Sequence, residues 1–217
     1  MMRRILLMAG LSAFLSFSQA VYFTQAAYPL TAQEAQGQAV KPKADFQKAH
    51  ESFMKKDFKA SATEIRKGAD YLRKEAESAG SKGKRMLAAS VKELDKLADS
   101  VEKGAVKSDK ELKGAFSRAE QAVANNDYVK ATDSWARKET KETGHALNAA
   151  AEHMEQAADW SGRKLKAGGA KTIEEGREVS GKLVKGTGYV SEEVDKALKS
   201  MGDAISGFGR KILPRKN

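Results

Sequence analysis

The side chains with chemistry to offer are few. Three histidines, His50, His145 and His153, are the only imidazoles in 217 residues, and the chain has no cysteine. No two of them stand at the i, i+4 spacing that presents two ring nitrogens to one metal, so no metal centre is expected. Without a Cys-x-x-Cys-His there is no haem attachment either. An acid–base site would have to draw on His145, His153 and Glu152. His145 and Glu152, seven apart, share a helix face, whereas Glu152 and His153 are adjacent and do not. The turn Gly186-Thr187-Gly188 lacks the further glycine and the strand context of a phosphate loop, and no Gly-x-Ser-x-Gly elbow is present. The carboxylates are scattered rather than set in pairs whose pKa values could be driven apart. These residue types point away from an enzyme and imply no cofactor.

Binding is the other chemistry available. Tyr71, Tyr128, Trp135 and Trp160 are aromatics of the kind that line ligand grooves. Trp135 takes the place of Phe53 in an internal repeat and reads as core, while Trp160 replaces Ser78 and escapes that argument, so Trp160 is the first candidate for an interaction surface. A second candidate is C-terminal. Val194, Leu198, Met201, Ile205, Phe208 and Ile212 form one apolar stripe at helical spacing, and Arg210, Lys211, Arg215 and Lys216 cluster at its end. Such a segment either buries its stripe in a bundle or lies on an anionic membrane surface. Val194 and Leu198 occupy the repeat positions of Leu112 and Phe116, which favours burial; Phe208 lies near the end of the register and is less accounted for.

The elements that must position these residues come in two copies. Asp45-Phe46-Gln47-Lys48-Ala49 returns as Asp127-Tyr128-Val129-Lys130-Ala131, a register of 82 residues from 127 minus 45. Ile65 then falls on Leu147, Ala69 on Ala151, Leu72 on Met154, Gly80 on Gly162 and Lys103-Gly104 on Lys185-Gly186. A repeat of this length bears on the whole fold. Within the first copy Asp45 reads as the cap of a short helix that breaks at Lys56-Asp57. Phe58, Ala62, Ile65, Ala69, Leu72 and Ala76 stripe a second helix, and Met86, Leu87, Val91, Leu94, Ala98 and Val101 a third. Gly104 suits the left-handed stop of that third helix. Ser108-Asp109-Lys110-Glu111 reads as a capping box opening a fourth, and Asn125-Asn126 as the turn into the second copy. There Gly168, Gly169, Gly176 and Gly181 weaken the counterpart of the third helix, and Ser191 is placed to cap the last.

Met1-Met2-Arg3-Arg4 followed by an apolar run over 5–17 reads as a signal peptide, cleavable after Ala20 or Ala26, hence residues 1–26. The run is shorter than the roughly 20 residues of a bilayer span. Residues 27–44, with Pro29 and Pro42 and no apolar periodicity, read as a flexible leader. Helical repeats follow at 45–126 and 127–208, then a basic tail at 209–217. The formal charge of +10 falls by two when Arg3 and Arg4 leave with the signal. A basic exported chain meets proteins, cell-wall polymers or anionic lipid rather than nucleic acid, and the expected location is a bacterial periplasm.

The segments Lys55-Lys56-Asp57-Phe58 and Asn125-Asn126-Asp127-Tyr128 resemble the helix-turn-helix junctions of tetratricopeptide repeats, although the register here is 82 and no proline punctuates the helices. Over 45–160 the alanine-rich hairpins behind a signal peptide are similar to small periplasmic helical proteins of the YfdX type, a resemblance that implies a stress-related role and carries no functional residues across. The fold expected is all-α, two tandem multi-helix units forming an antiparallel bundle or short solenoid. The function expected is a non-enzymatic binding or scaffold protein with a protein partner; the alternative is association with an anionic membrane surface through the C-terminal segment.

Overall fold

In the computed structural model, which describes residues 32–165 and 167–212, the chain is all-helical. Helices α1 (Ala32–Met54), α2 (Phe58–Ser78), α3 (Ser81–Glu102), α4 (Asp109–Ala136), α5 (Thr140–Ser161), α6 (Ala167–Lys185) and α7 (Ser191–Ile212) form one bundle. Short connections make sequential neighbours antiparallel. α4 is the hub: it packs most extensively on α5, and also on α3, α7, α1 and α2.

The apolar stripes face inward as their spacing requires. Ala62, Ile65, Ala69 and Leu72 of α2 and Leu87, Leu94, Ala98 and Val101 of α3 are buried. Phe46 of α1 stacks on Phe116 of α4 with ring centroids 4.4 Å apart, and both are fully buried. Small residues admit the close crossings. A Cβ added at Gly144 of α5 would stand 2.9 Å from the Ser180 carbonyl oxygen of α6. That helix pair is further pinned by the Ser180 hydroxyl, which donates to the Gly144 carbonyl at 2.7 Å.

Five helix ends share one device. Lys56, Gly104, Lys138, Gly162 and Gly186 each take a positive φ, 62°, 64°, 62°, 63° and 76°. At the first, the Lys56 N–H donates to the Phe53 carbonyl and the Asp57 N–H to the Ser52 carbonyl, both 2.9 Å. This is the paired 5→2 and 6→1 bonding of a Schellman end. At the third, Lys138 and Glu139 make the same bonds to Trp135 and Ser134, also 2.9 Å each.

Several junctions differ from the sequence reading. Residues 32–44 of the expected leader belong to α1, and Pro42 lies inside that helix. A proline there forfeits one i→i−4 bond, and the burial of Phe46 and Ala49 beyond it anchors the helix. Asp45 accordingly lies within α1 rather than at its start. The cap stands at Asp57, whose carboxylate accepts from the Ala60 N–H at 3.0 Å. Ser108 caps α4 by accepting from the Lys110 N–H at 3.2 Å, without the reciprocal bond of a capping box. No turn occurs at Asn125-Asn126. α4 runs straight through them, and Asn125, Asn126 and Asp127 are buried. Pairing with other helices outweighs the turn preference of Asn: the Asn126 amide donates to Glu75 Oε2 of α2 at 3.3 Å. Ser191 is the first residue of α7 rather than its cap, and 209–212 of the expected basic tail complete that helix.

Candidate functional site

Where α4 passes mid-length, the apolar core divides into a cluster drawn from residues up to Val123 and another from Ala124 onward. Charged side chains fill the division. Lys130 Nζ on α4 reaches Glu75 Oε2 of α2 at 2.6 Å and Asp127 Oδ1 at 3.4 Å. His153 of α5 places Nδ1 2.6 Å from Glu120 Oε2 and Nε2 3.8 Å from Asp127 Oδ2. Glu120 and His153 are fully buried, and Glu75 and Asp127 nearly so.

Burial and neighbouring charge pull against each other in this cluster. Desolvation pushes the Asp127 carboxyl above its ordinary range, against Lys130 and His153. Burial alone would lower His153, but the hydrogen bond and charge of Glu120, with Asp127 and Glu152 behind, outweigh it and hold the imidazolium above the usual histidine value. Lys130 is raised in the same way, Asp127 and Glu75 overcoming its desolvation. Tyr71 is driven up by burial and then by Glu75, so its phenol stays protonated.

The acid–base group considered from sequence is dispersed. His153 is sealed inside against Glu120, whereas Glu152 is half-buried and accepts from the Asn148 amide at 2.6 Å. His145 is half-buried with no hydrogen-bonding partner among the described residues. His50 lies 3.5 Å from Asp109 Oδ2. Among the described residues no group of three or more His, Cys, Asp or Glu is placed to hold a metal ion.

The surface candidates part company too. Phe208 is buried in the second cluster with Val194, Leu198, Met201, Ile205 and Ile212, so the apolar stripe of α7 faces the bundle. Among the described residues no helix is long and apolar enough to cross a membrane. Arg210 and Lys211 are exposed, while Arg215 and Lys216 lie outside the described residues. Trp160 is half-buried, its ring edge-on to Phe116 at 5.1 Å and to His50 at 5.9 Å, which ties the end of α5 to α4 and α1. Trp135 donates its indole N–H to Asp195 at 2.7 Å.

Trp160 and Lys211 nevertheless meet in one open cleft of about 450 Å³. The start of α4 supplies Lys110, Lys113 and Arg118, the end of α5 Asp159 and Trp160, the following loop Arg163, and the end of α7 Lys211. Arg118 is held by Glu93 through contacts of 3.0 and 2.5 Å and donates to the Ile212 carbonyl at 3.3 Å, which fixes the last turn of α7 against α4. Lys113 is paired with Asp109 at 2.6 Å. Sequence reasoning picked out Trp160 and Lys211 but missed Lys110, Lys113, Arg118 and Arg163, because no local pattern joins residues this far apart. It also missed the buried charges. There a signal existed: Glu120 stands four residues after Phe116 and three before Val123, on an apolar face. No family model, curated protein or solved structure matches the chain.

Proposed function

We propose that the protein is an exported, non-enzymatic binding or scaffold protein of the periplasm, stress-related in role, built as two tandem helical units and meeting a protein partner at the cleft beside Trp160. The observation that carries this reading is the contrast between the two polar sites. His153 and Glu120, the groups best matched for proton transfer, are shut inside the bundle, whereas the basic cleft is open. A pair sealed in this way offers no access to a substrate, whereas an open cleft with an aromatic wall meets partners.

The two-unit reading is supported by the helix ends, since Lys56 and Lys138, and Gly104 and Gly186, stand one register apart and share their bonding. Burial of the α7 stripe weighs against the membrane-surface alternative, because it leaves a membrane only exposed charges. Differential capture tests the proposal. The immobilised protein and its Lys110→Glu/Lys211→Glu variant are exposed to the same periplasmic extract. A protein retained by the first and released by the second supports the cleft. Identical capture by both removes it.

A further inference from the structure

We infer that the cleft between the start of α4, the end of α5 and the end of α7 binds a phosphate monoester whose apolar portion lies against Trp160. This deepens the binding reading above and rests on it. Its volume, about 450 Å³, falls among small-ligand sites. Its charge is unbalanced. Five cationic side chains, Lys110, Lys113, Arg118, Arg163 and Lys211, line it against one carboxylate, Asp159. Lys113 and Arg118 are already matched by Asp109 and Glu93. Lys110, Arg163 and Lys211 have no ion-pair partner among the described residues, so three cations against Asp159 leave an excess of two. A phosphate monoester carries close to that charge at neutral pH, and a guanidinium such as Arg163 grips its oxygens bidentately.

Helix electrostatics account for part of this arrangement and fail for the rest. Arg163 just beyond α5 and Lys211 in the last turn of α7 complement the negative ends of those helices. Lys110 does the reverse, standing exposed in the first turn of α4 where a cation opposes the dipole. A ligand anion in the cleft gives it a role that the helix does not. The half-buried indole of Trp160 supplies the apolar wall beside the charges.

Phenyl phosphate is the probe, titrated calorimetrically into the purified protein at low salt. A single site with Kd tighter than about 1 mM is expected. Phenol should not bind, inorganic phosphate should bind more weakly, and Lys110→Glu and Lys211→Glu should each weaken phenyl phosphate by about tenfold or more while circular dichroism is unchanged. Should a charge-reversed variant misfold, Trp160 emission in a Trp135→Phe background gives the second readout, saturating with phenyl phosphate and not with phenol. Vesicles of phosphatidylcholine with and without phosphatidic acid separate the sources. Binding only to the phosphatidic acid vesicles, displaced by phenyl phosphate, identifies a lipid headgroup; phenyl phosphate binding without vesicle binding identifies a soluble ester, whether free or carried on the protein partner. No saturable response to either, or equal affinity in the Lys110→Glu variant, overturns the inference. Partner capture that depends on the cleft but shows no phosphoryl binding would end this inference and leave the binding-protein reading standing.

Discussion

His153 sits with carboxylates on both sides of its ring, Glu120 at 2.6 Å and Asp127 at 3.8 Å, and the sign of its pH dependence follows. Its folded pKa is raised, so the stability it supplies is fully present below the ordinary histidine value of about 6.5 and is lost as pH rises through the folded value. Asp127, also raised, acts in the same sense from the ordinary carboxylate range upward. Melting temperature should therefore fall as pH climbs above about 6.5, and His153→Gln should flatten that slope. Parallel profiles for the two proteins would refute the assignment. Lys130 tests the cluster differently. Lys130→Met leaves Glu75 and Asp127 buried without their cation, a loss of about 3 kcal/mol in denaturant unfolding, with partial rescue by adding Glu75→Gln. A loss under about 0.5 kcal/mol would mean that the cluster behaves like a surface pair. At this scale little was readable in advance, because spacing reveals that Glu120 shares a face with Phe116 without revealing that α5 brings His153 to meet it.

Helix ends set the element scale, and here the sequence was most readable. The break at Lys56-Asp57 and the stop at Gly104 lie where local chemistry puts them. The two misread stretches fail for tertiary reasons: Asn125-Asn126 carries turn propensity yet is overridden by burial of both residues and the bond from Asn126 to Glu75, and Pro42 interrupts a helix that Phe46 and Ala49 hold from beyond. Lys56 and Lys138 hold a left-handed conformation that a side chain resists and glycine adopts freely. Lys138→Gly is expected to stabilise the protein by about 0.5–1 kcal/mol, measured by denaturant midpoint at unchanged m-value. Destabilisation would show that the lysine side chain contributes more than its backbone strain costs.

For the whole molecule, α4 does the joining, carrying one apolar cluster on its first half and the other on its second, with the ionic centre between them. The cleft inherits that construction. Lys110 comes from the stretch read as the first unit, and Trp160, Arg163 and Lys211 from the second and its end, so the site exists only when the bundle is assembled. The all-helical class was readable from periodicity; the cleft was not, since it depends on how α7 returns to α4. The most direct test of a binding protein acting through this cleft is photo-crosslinking in growing cells, with a photo-reactive residue placed at Lys211, at Arg163, or at the exposed Lys74 of α2 as control. Discrete adducts are expected from Lys211 and Arg163 and none from Lys74. Equal adducts from all three positions, or none from any, would contradict binding through the cleft.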